Sequence, residues 1–158
     1  GATTNYLRLL SVAPSKELAK SLVQNDSHAS LALGLMDRLD MALVGLGSTD
    51  IASPGYSGAN FFSADQLELA ISRGAVGQIN LRFFDVEGKP VITELDDLVI
   101  GISFQQLMKT PLRIATAGGA AKRAAIKAAV RGKWVNILIT DLKTAEFLLD
   151  DQTSNSKH

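Results

Sequence analysis

Apolar residues come in short blocks along this chain, some continuous and some spaced three or four apart. Residues 7–12 form a short, mostly apolar run closed by Pro14, which reads as a strand. Ser15 then stands where a helix cap belongs, opening a helix through about Val23, and Ser27 is the candidate cap of a second helix over 29–39. Residues 41–46 are apolar throughout and run into Gly47-Ser48-Thr49, the pattern of a strand buried on both faces. The stretch 50–62, with Pro54, Gly55, Gly58 and Asn60, reads as a loop, after which Ser63 caps a helix to about Arg73.

The second half repeats the alternation. Residues 75–84 read as a strand, Glu87-Gly88 as a turn, 98–102 as a strand, and 104–109 as a short helix stopped by Pro111. A strand at 112–116, a helix at 120–130, a strand at 135–139 and a helix at 142–149 follow, then a polar tail at 151–158. Strands alternating with amphipathic helices predict an α/β fold: a mostly parallel, Rossmann-like sheet with helices on both faces. In such sheets ligands sit beyond the carboxyl ends of the strands. The turns that matter are therefore Gly47-Ser48-Thr49, Phe84-Asp85, Ala117-Gly118-Gly119 and Thr140-Asp141.

Of these, Ala117-Gly118-Gly119 carries the most chemistry. It leaves a strand, turns on two glycines and enters an alanine-rich helix with Lys122 in its first turn. Helix N-termini present unpaired N–H groups and a positive dipole end, and glycine lets an anion approach the backbone. Lys122 adds a full charge and continues the apolar stripe of Ile126 and Val130, a place where a lysine needs a partner. Arg123, Lys127 and Arg131 lie on a neighbouring stripe and are expected to face water.

Composition narrows the choices. With 16 basic and 16 acidic residues the net charge is zero, so nothing draws the chain as a whole toward nucleic acid or an anionic membrane. The absence of cysteine removes disulfides, thiolate metal sites and cysteine nucleophiles, and fits an intracellular, cytoplasmic protein. His28 and His158 are the only histidines available to a metal site or a catalytic triad. No apolar run reaches the ~18 residues of a membrane span, and the opening resembles no secretory signal. A start on Gly rather than Met is expected of a processed, tagged or excised chain.

Other motifs carry less. The segment Val44-Gly45-Leu46-Gly47-Ser48-Thr49 is superficially a dinucleotide fingerprint, but Asp50 stands where a glycine belongs and a loop replaces the helix. The hydroxyls of Ser48 and Thr49 have two readings, ligand contacts or turn caps. Asp85 and Asp141 are candidate acid–base carboxylates or ordinary turn residues. Tyr56, Phe61 and Phe62 either cover a pocket or anchor their own loop, Trp134 is a core or interface residue, and Asp96-Asp97 is a solvated turn.

Taken in order, Val44-Gly45-Leu46-Gly47-Ser48, Gly74-Ala75-Val76-Gly77, Arg82-Phe83-Phe84-Asp85 with Gly88, Ile100-Gly101-Ile102, Ala117-Gly118-Gly119 with Lys122 and Ile126, Arg131-Gly132, and Leu138-Ile139-Thr140-Asp141 with Thr144-Ala145 strongly resemble one family. It is the sugar-binding effector domain of SorC-type bacterial transcriptional regulators, and the resemblance runs from about Tyr6 to Leu149. It implies a fold similar to glucosamine-6-phosphate deaminase and ribose-5-phosphate isomerase, no catalysis, no cofactor and no metal. The implied partners are a phosphorylated sugar and, through a separate helix-turn-helix domain, operator DNA; a homo-oligomer is implied and a membrane is not.

On this resemblance, residues 1–150 are the C-terminal portion of the effector domain. The helix-turn-helix and a first portion of the effector domain, with its own glycine-rich phosphate loop, precede it in relatives and on this resemblance are expected to be missing from these 158 residues. The phosphate region falls on Ala117, Gly118, Gly119 and Lys122, and Gly47 and Ser48 line the pocket. With the positional candidates, the expected effector-binding set is Gly47, Ser48, Thr49, Gln78, Asp85, Ala117, Gly118, Gly119 and Lys122. Gln78 departs from the family, which often has an acidic residue there for sugar hydroxyls. The alternative is a sugar-phosphate isomerase or deaminase on the same fold, resting on Asp85 and Asp141.

Overall fold

Capping side chains set the first helices. The computed structural model describes residues 1–50 and 61–155, so residues 51–60 of the expected loop at 50–62, with Tyr56, and the histidine at 158 lie outside the described residues. The Ser15 hydroxyl accepts from the Leu18 N–H and opens α1 (Lys16–Gln24). α2 (Ser27–Leu35) starts earlier than expected because Asp26, not Ser27, is its cap: the carboxylate accepts from the N–H groups of His28 and Ala29. A single 3₁₀ turn, Met36–Arg38, leads to β1 (Met41–Gly45). Ser63 and Gln66 cap each other's backbone at the head of α3 (Ala64–Ser72).

The expected strand over 75–84 is instead a hairpin. β3 (Gly77–Ile79) and β4 (Arg82–Phe84) run antiparallel, joined by Asn80 and Leu81 at φ +50° and +64°. Two successive left-handed residues make the type I′ turn that suits a two-residue hairpin. Asn-Leu lacks the glycine that usually marks such a turn, so the apolar run looks unbroken. β2 (Gly47–Ser48) and β5 (Pro90–Val91) complete an antiparallel sheet of order β2-β3-β4-β5.

Among the described residues the parallel sheet has three strands. β6 (Leu112–Thr116) lies between β1 and β7 (Ile137–Ile139), all parallel. The helices that pack around it are α4 (Phe104–Lys109), α5 (Arg123–Arg131) and α6 (Leu142–Asn155). The α/β class holds, although only part of the sheet is parallel. The expected strands at 7–12 and 98–102 reduce to one antiparallel bridge between Val12 and Val99. Their apolar side chains go elsewhere: Leu7, Leu9 and Ile100 pack with Ala19, Leu22 and Leu33 of α1 and α2. The last helix runs to Asn155, into the stretch read as a tail.

The core lies on one face of the parallel sheet. Ala42, Val44 and Ala115 point into it, against Ile79 and Phe84 of the hairpin and Ala125, Ile126 and Ala129 of α5. Trp134 is fully buried there; its indole N–H donates to the Gly88 carbonyl at 2.8 Å, and its ring sits 4.9 Å from Phe84 and 4.7 Å from Phe104. A Cβ on Gly77 would press into Ala125 and Phe84 at 2.7 Å, so the missing side chain is what lets α5 lie directly on β3. Lys122, at the head of α5, is thereby held beside the β2–β3 strands. The opposite face is a departure from expectation: β1 alternates, with Met41 and Leu43 exposed, and is not buried on both sides.

Candidate functional site

A groove of about 340 Å³ opens where the carboxyl ends of β1 and β6 meet the β3–β4 turn. Gly45, Leu46, Gly47, Phe61, Gln78, Asn80, Leu81, Thr116 and Lys122 line it. It lies beyond the strand ends, where ligands of parallel sheets sit. Two clefts of similar size, one along α1 and α2 and one between residues 4–8 and the start of α2, hold none of the candidate residues.

Three of the expected residues meet here: Gly47, Gln78 and Lys122. Gly47 is the register partner of Gln78, and a Cβ on it would come within 2.5 Å of Gln78 Nε2. The glycine is therefore required for the glutamine to lie across β2. Gln78 Oε1 accepts from the Leu81 N–H at 2.8 Å, which commits the amide oxygen to the hairpin turn and leaves the NH₂ as the group offered to a ligand. Lys122 is half-buried on the far side. A 3₁₀ turn, Ala120–Lys122, precedes α5, so Lys122 is the N-cap residue of that helix, not a member of its first turn.

The remaining candidates stand apart from the groove. Thr49 is buried, its hydroxyl donating to the Ala75 carbonyl at 2.9 Å, and Ser48 Oγ accepts from the Asp50 N–H. Both hydroxyls serve the local fold. Thr49→Val should therefore cost about 1 kcal/mol in urea unfolding, by leaving a buried carbonyl unpaired, while sugar affinity stays unchanged. Asp85 also falls outside: its carboxylate accepts from the N–H groups of Glu87 and Lys89, closing the β4–β5 turn near Gly88, at the C-terminal end of α5.

The Gly-Gly turn is built around a carboxylate. Asp141 accepts from the Gly119 N–H at 2.7 Å and from the Thr144 hydroxyl and N–H at 2.7 and 3.0 Å, and a side chain on Gly118 would collide with it. These bonds, the Thr144 hydroxyl first and the Gly119 N–H next, hold its pKa down from 3.8 to about 2. The Gly119 N–H is thus already used, and an anion placed there would meet a negative charge. Ala117 donates to the Ile139 carbonyl and extends the sheet.

A carboxyl with a lowered folded-state pKa contributes stability above its ordinary value and loses it as pH falls through the folded one. The wild-type melting temperature should accordingly fall between about pH 4 and pH 2 by more than that of Asp141→Asn.

Of the basic stripe on α5, Arg131 is exposed as expected, but Arg123 and Lys127 are not. Arg123 is half-buried, stacked 5.4 Å from the Phe147 ring and donating to the Lys143 carbonyl, while Arg131 pairs with Glu87 at 2.6 Å and Lys127 is half-buried. Helix periodicity located the stripe, but not α6 beside it. Sequence reasoning also missed Asn80, Leu81 and Thr116 as groove residues. An asparagine able to adopt the left-handed region was the available signal for the first two.

Fold and groove define a ligand-binding α/β domain, with both acid–base candidates consumed in turns. Among the described residues no cluster of His, Asp and Glu is placed to hold a metal ion, and no helix is long and apolar enough to cross a membrane. The sugar-binding domain family Sugar-bind matches residues 1–150, and the chain belongs to that family.

Its relatives are named as transcriptional regulators, not enzymes. It is 31% identical over 132 residues to the sorbitol operon regulator of Klebsiella pneumoniae, covering 84% of this chain and 42% of the relative. The solved full-length structure of that regulator, SorC, superposes with a TM-score of 0.79 at 30% identity, over 88% of this chain and 44% of the other. The transcriptional regulator LsrR of Escherichia coli is 32% identical over 139 residues, 87% of this chain and 44% of LsrR. A solved sugar-binding domain of a transcriptional repressor from Vibrio fischeri gives a TM-score of 0.78 at 25% identity, over 93% of this chain and 58% of that one. The chain spans less than half the length of these curated relatives.

Proposed function

We propose that this chain is the effector-sensing part of a bacterial transcriptional regulator: it binds a phosphorylated sugar in the β1–β3–β6 groove and thereby controls DNA binding by a separate helix-turn-helix domain. The observation that carries this reading is the convergence of Lys122, the Gln78 amide and Gly47 on one groove. The lysine offers a charge to an anionic group, and the head of α5, which has no side-chain cap, adds its positive dipole end. Because Asp141 occupies the Gly119 N–H, the phosphate meets the Lys122 side of the turn. The Gln78 NH₂ and the Thr116 and Asn80 side chains face the sugar hydroxyls.

The regulator acts in the cytoplasm, as a homo-oligomer, without a cofactor. Membership of the sugar-binding family and relatives named as regulators support the reading. An isomerase or deaminase has less support, because Asp85 and Asp141 are held as turn acceptors and Asp141 stays ionised. Calorimetry of the full-length protein against matched sugars and sugar phosphates is the test, joined to a gel shift on operator DNA. Binding of the phosphorylated member with a change in the shift is the expected result; equal affinity for both members, or sugar turnover, would refute it. Residues 1–158 alone, with zero net charge, should give no salt-sensitive, sequence-specific shift.

A further inference from the structure

A glycine would fit the second position of the β3–β4 turn without strain, yet Leu81 holds it. Its φ of +64° is one that bulky side chains rarely adopt, and such outliers gather at functional sites, where the surrounding structure enforces them. Gln78 supplies part of the enforcement: its Oε1 accepts from the Leu81 N–H at 2.8 Å, across the turn. What the strain secures is a side chain that glycine lacks. Half-buried, Leu81 packs against the cluster of Phe62, Phe83, Val91 and Leu95 and also lines the groove. Phe61, 61% exposed, lines the groove as well. The groove thus combines two apolar side chains with Lys122, Thr116 and the Gln78 NH₂.

We propose that Leu81 is a specificity residue: it selects a deoxy sugar phosphate, one that presents a C–H position without a hydroxyl to Leu81 and Phe61. This selectivity rests on the groove being the sugar site and decides which sugar enters it. A hydroxyl placed against these two side chains gives up its water partners and meets no donor or acceptor on either of them. The Leu81 N–H is already committed to Gln78. A C–H position placed there has no hydrogen bond to lose and buries apolar surface. The preference is bounded, because apolar contacts reject an added hydroxyl by only about 100-fold. A leucine kept solely to pack on the Phe62 cluster would leave ligand preference untouched.

Calorimetry on the full-length protein with matched pairs reads this preference: 2-deoxyribose-5-phosphate against ribose-5-phosphate, and 2-deoxyglucose-6-phosphate against glucose-6-phosphate. The wild type is expected to bind the deoxy member of at least one pair roughly 10- to 100-fold more tightly. Leu81→Gly, which suits the left-handed turn and removes the side chain, should bring that ratio to within about twofold. Leu81→Asn also tolerates the turn and offers a polar group, so it should favour the hydroxylated parent, and it keeps the test open if the glycine loosens the hairpin. Phosphorylated sugars should keep their advantage over unphosphorylated ones in both variants, since Lys122 is untouched. Ratios near one in the wild type, or a deoxy preference that survives both substitutions, would overturn the proposal and leave the phosphate site standing. If no sugar phosphate of either kind bound the wild type, the sugar-site reading would itself fail and take the selectivity with it.

Discussion

Lys122→Ala in the full-length regulator should weaken binding of the phosphorylated effector roughly 10- to 150-fold in calorimetry, with little change for the unphosphorylated sugar. The magnitude is that of a charge-assisted hydrogen bond, about 1.5 to 3 kcal/mol. Lys122 should reach the upper half of that range because the turn offers the phosphate few other donors. The Gly119 N–H, the obvious backbone contact, already donates to Asp141. Lys109→Ala, at an exposed position in the last turn of α4, is the control. Equal affinity losses in the two variants would remove Lys122 from the site. A Lys122→Ala variant that lost both ligands alike would point to a collapsed groove instead, and its melting temperature would tell the cases apart.

Local chemistry was legible from the sequence; partnership between distant segments was not. Ser15, Ser63 and the Gly118-Gly119 turn mark real boundaries because caps and turns are decided within three or four residues. Lys122 stood out because a lysine continuing an apolar stripe needs a reason, and the groove supplies one. The misses have the opposite character. The β3–β4 hairpin was hidden because Leu81 takes a left-handed conformation normally left to glycine, held there in part by Gln78, three residues earlier. Asp141 had two readings, an acid–base carboxylate or a turn residue, and its partner is Gly119, which periodicity cannot connect to it. The apolar run at 41–46 predicted cover on both faces, and the described residues supply it on one.

Gln78→Glu should reorder affinities among sugar phosphates instead of lowering all of them together. The structure sharpens what the substitution changes. The amide oxygen is engaged by the Leu81 N–H, and a carboxylate oxygen can take over that bond, so the hairpin turn should survive. What changes is the group lying over Gly47: an NH₂ that donates becomes an oxygen that accepts and carries charge. Ligands presenting a carbonyl or ether oxygen at that point lose a partner and leave a buried polar atom unpaired, at about 1 to 3 kcal/mol, or roughly 5- to 150-fold. Ligands presenting a hydroxyl gain an acceptor. Lys122 is untouched, so phosphorylated ligands should keep their advantage over unphosphorylated ones in the variant. A thermal-shift panel of sugar phosphates on both proteins reads the ranking directly. The same ranking in wild type and Gln78→Glu would place the amide outside the ligand's reach, and a uniform loss across the panel would mean that the new charge repels the phosphate itself.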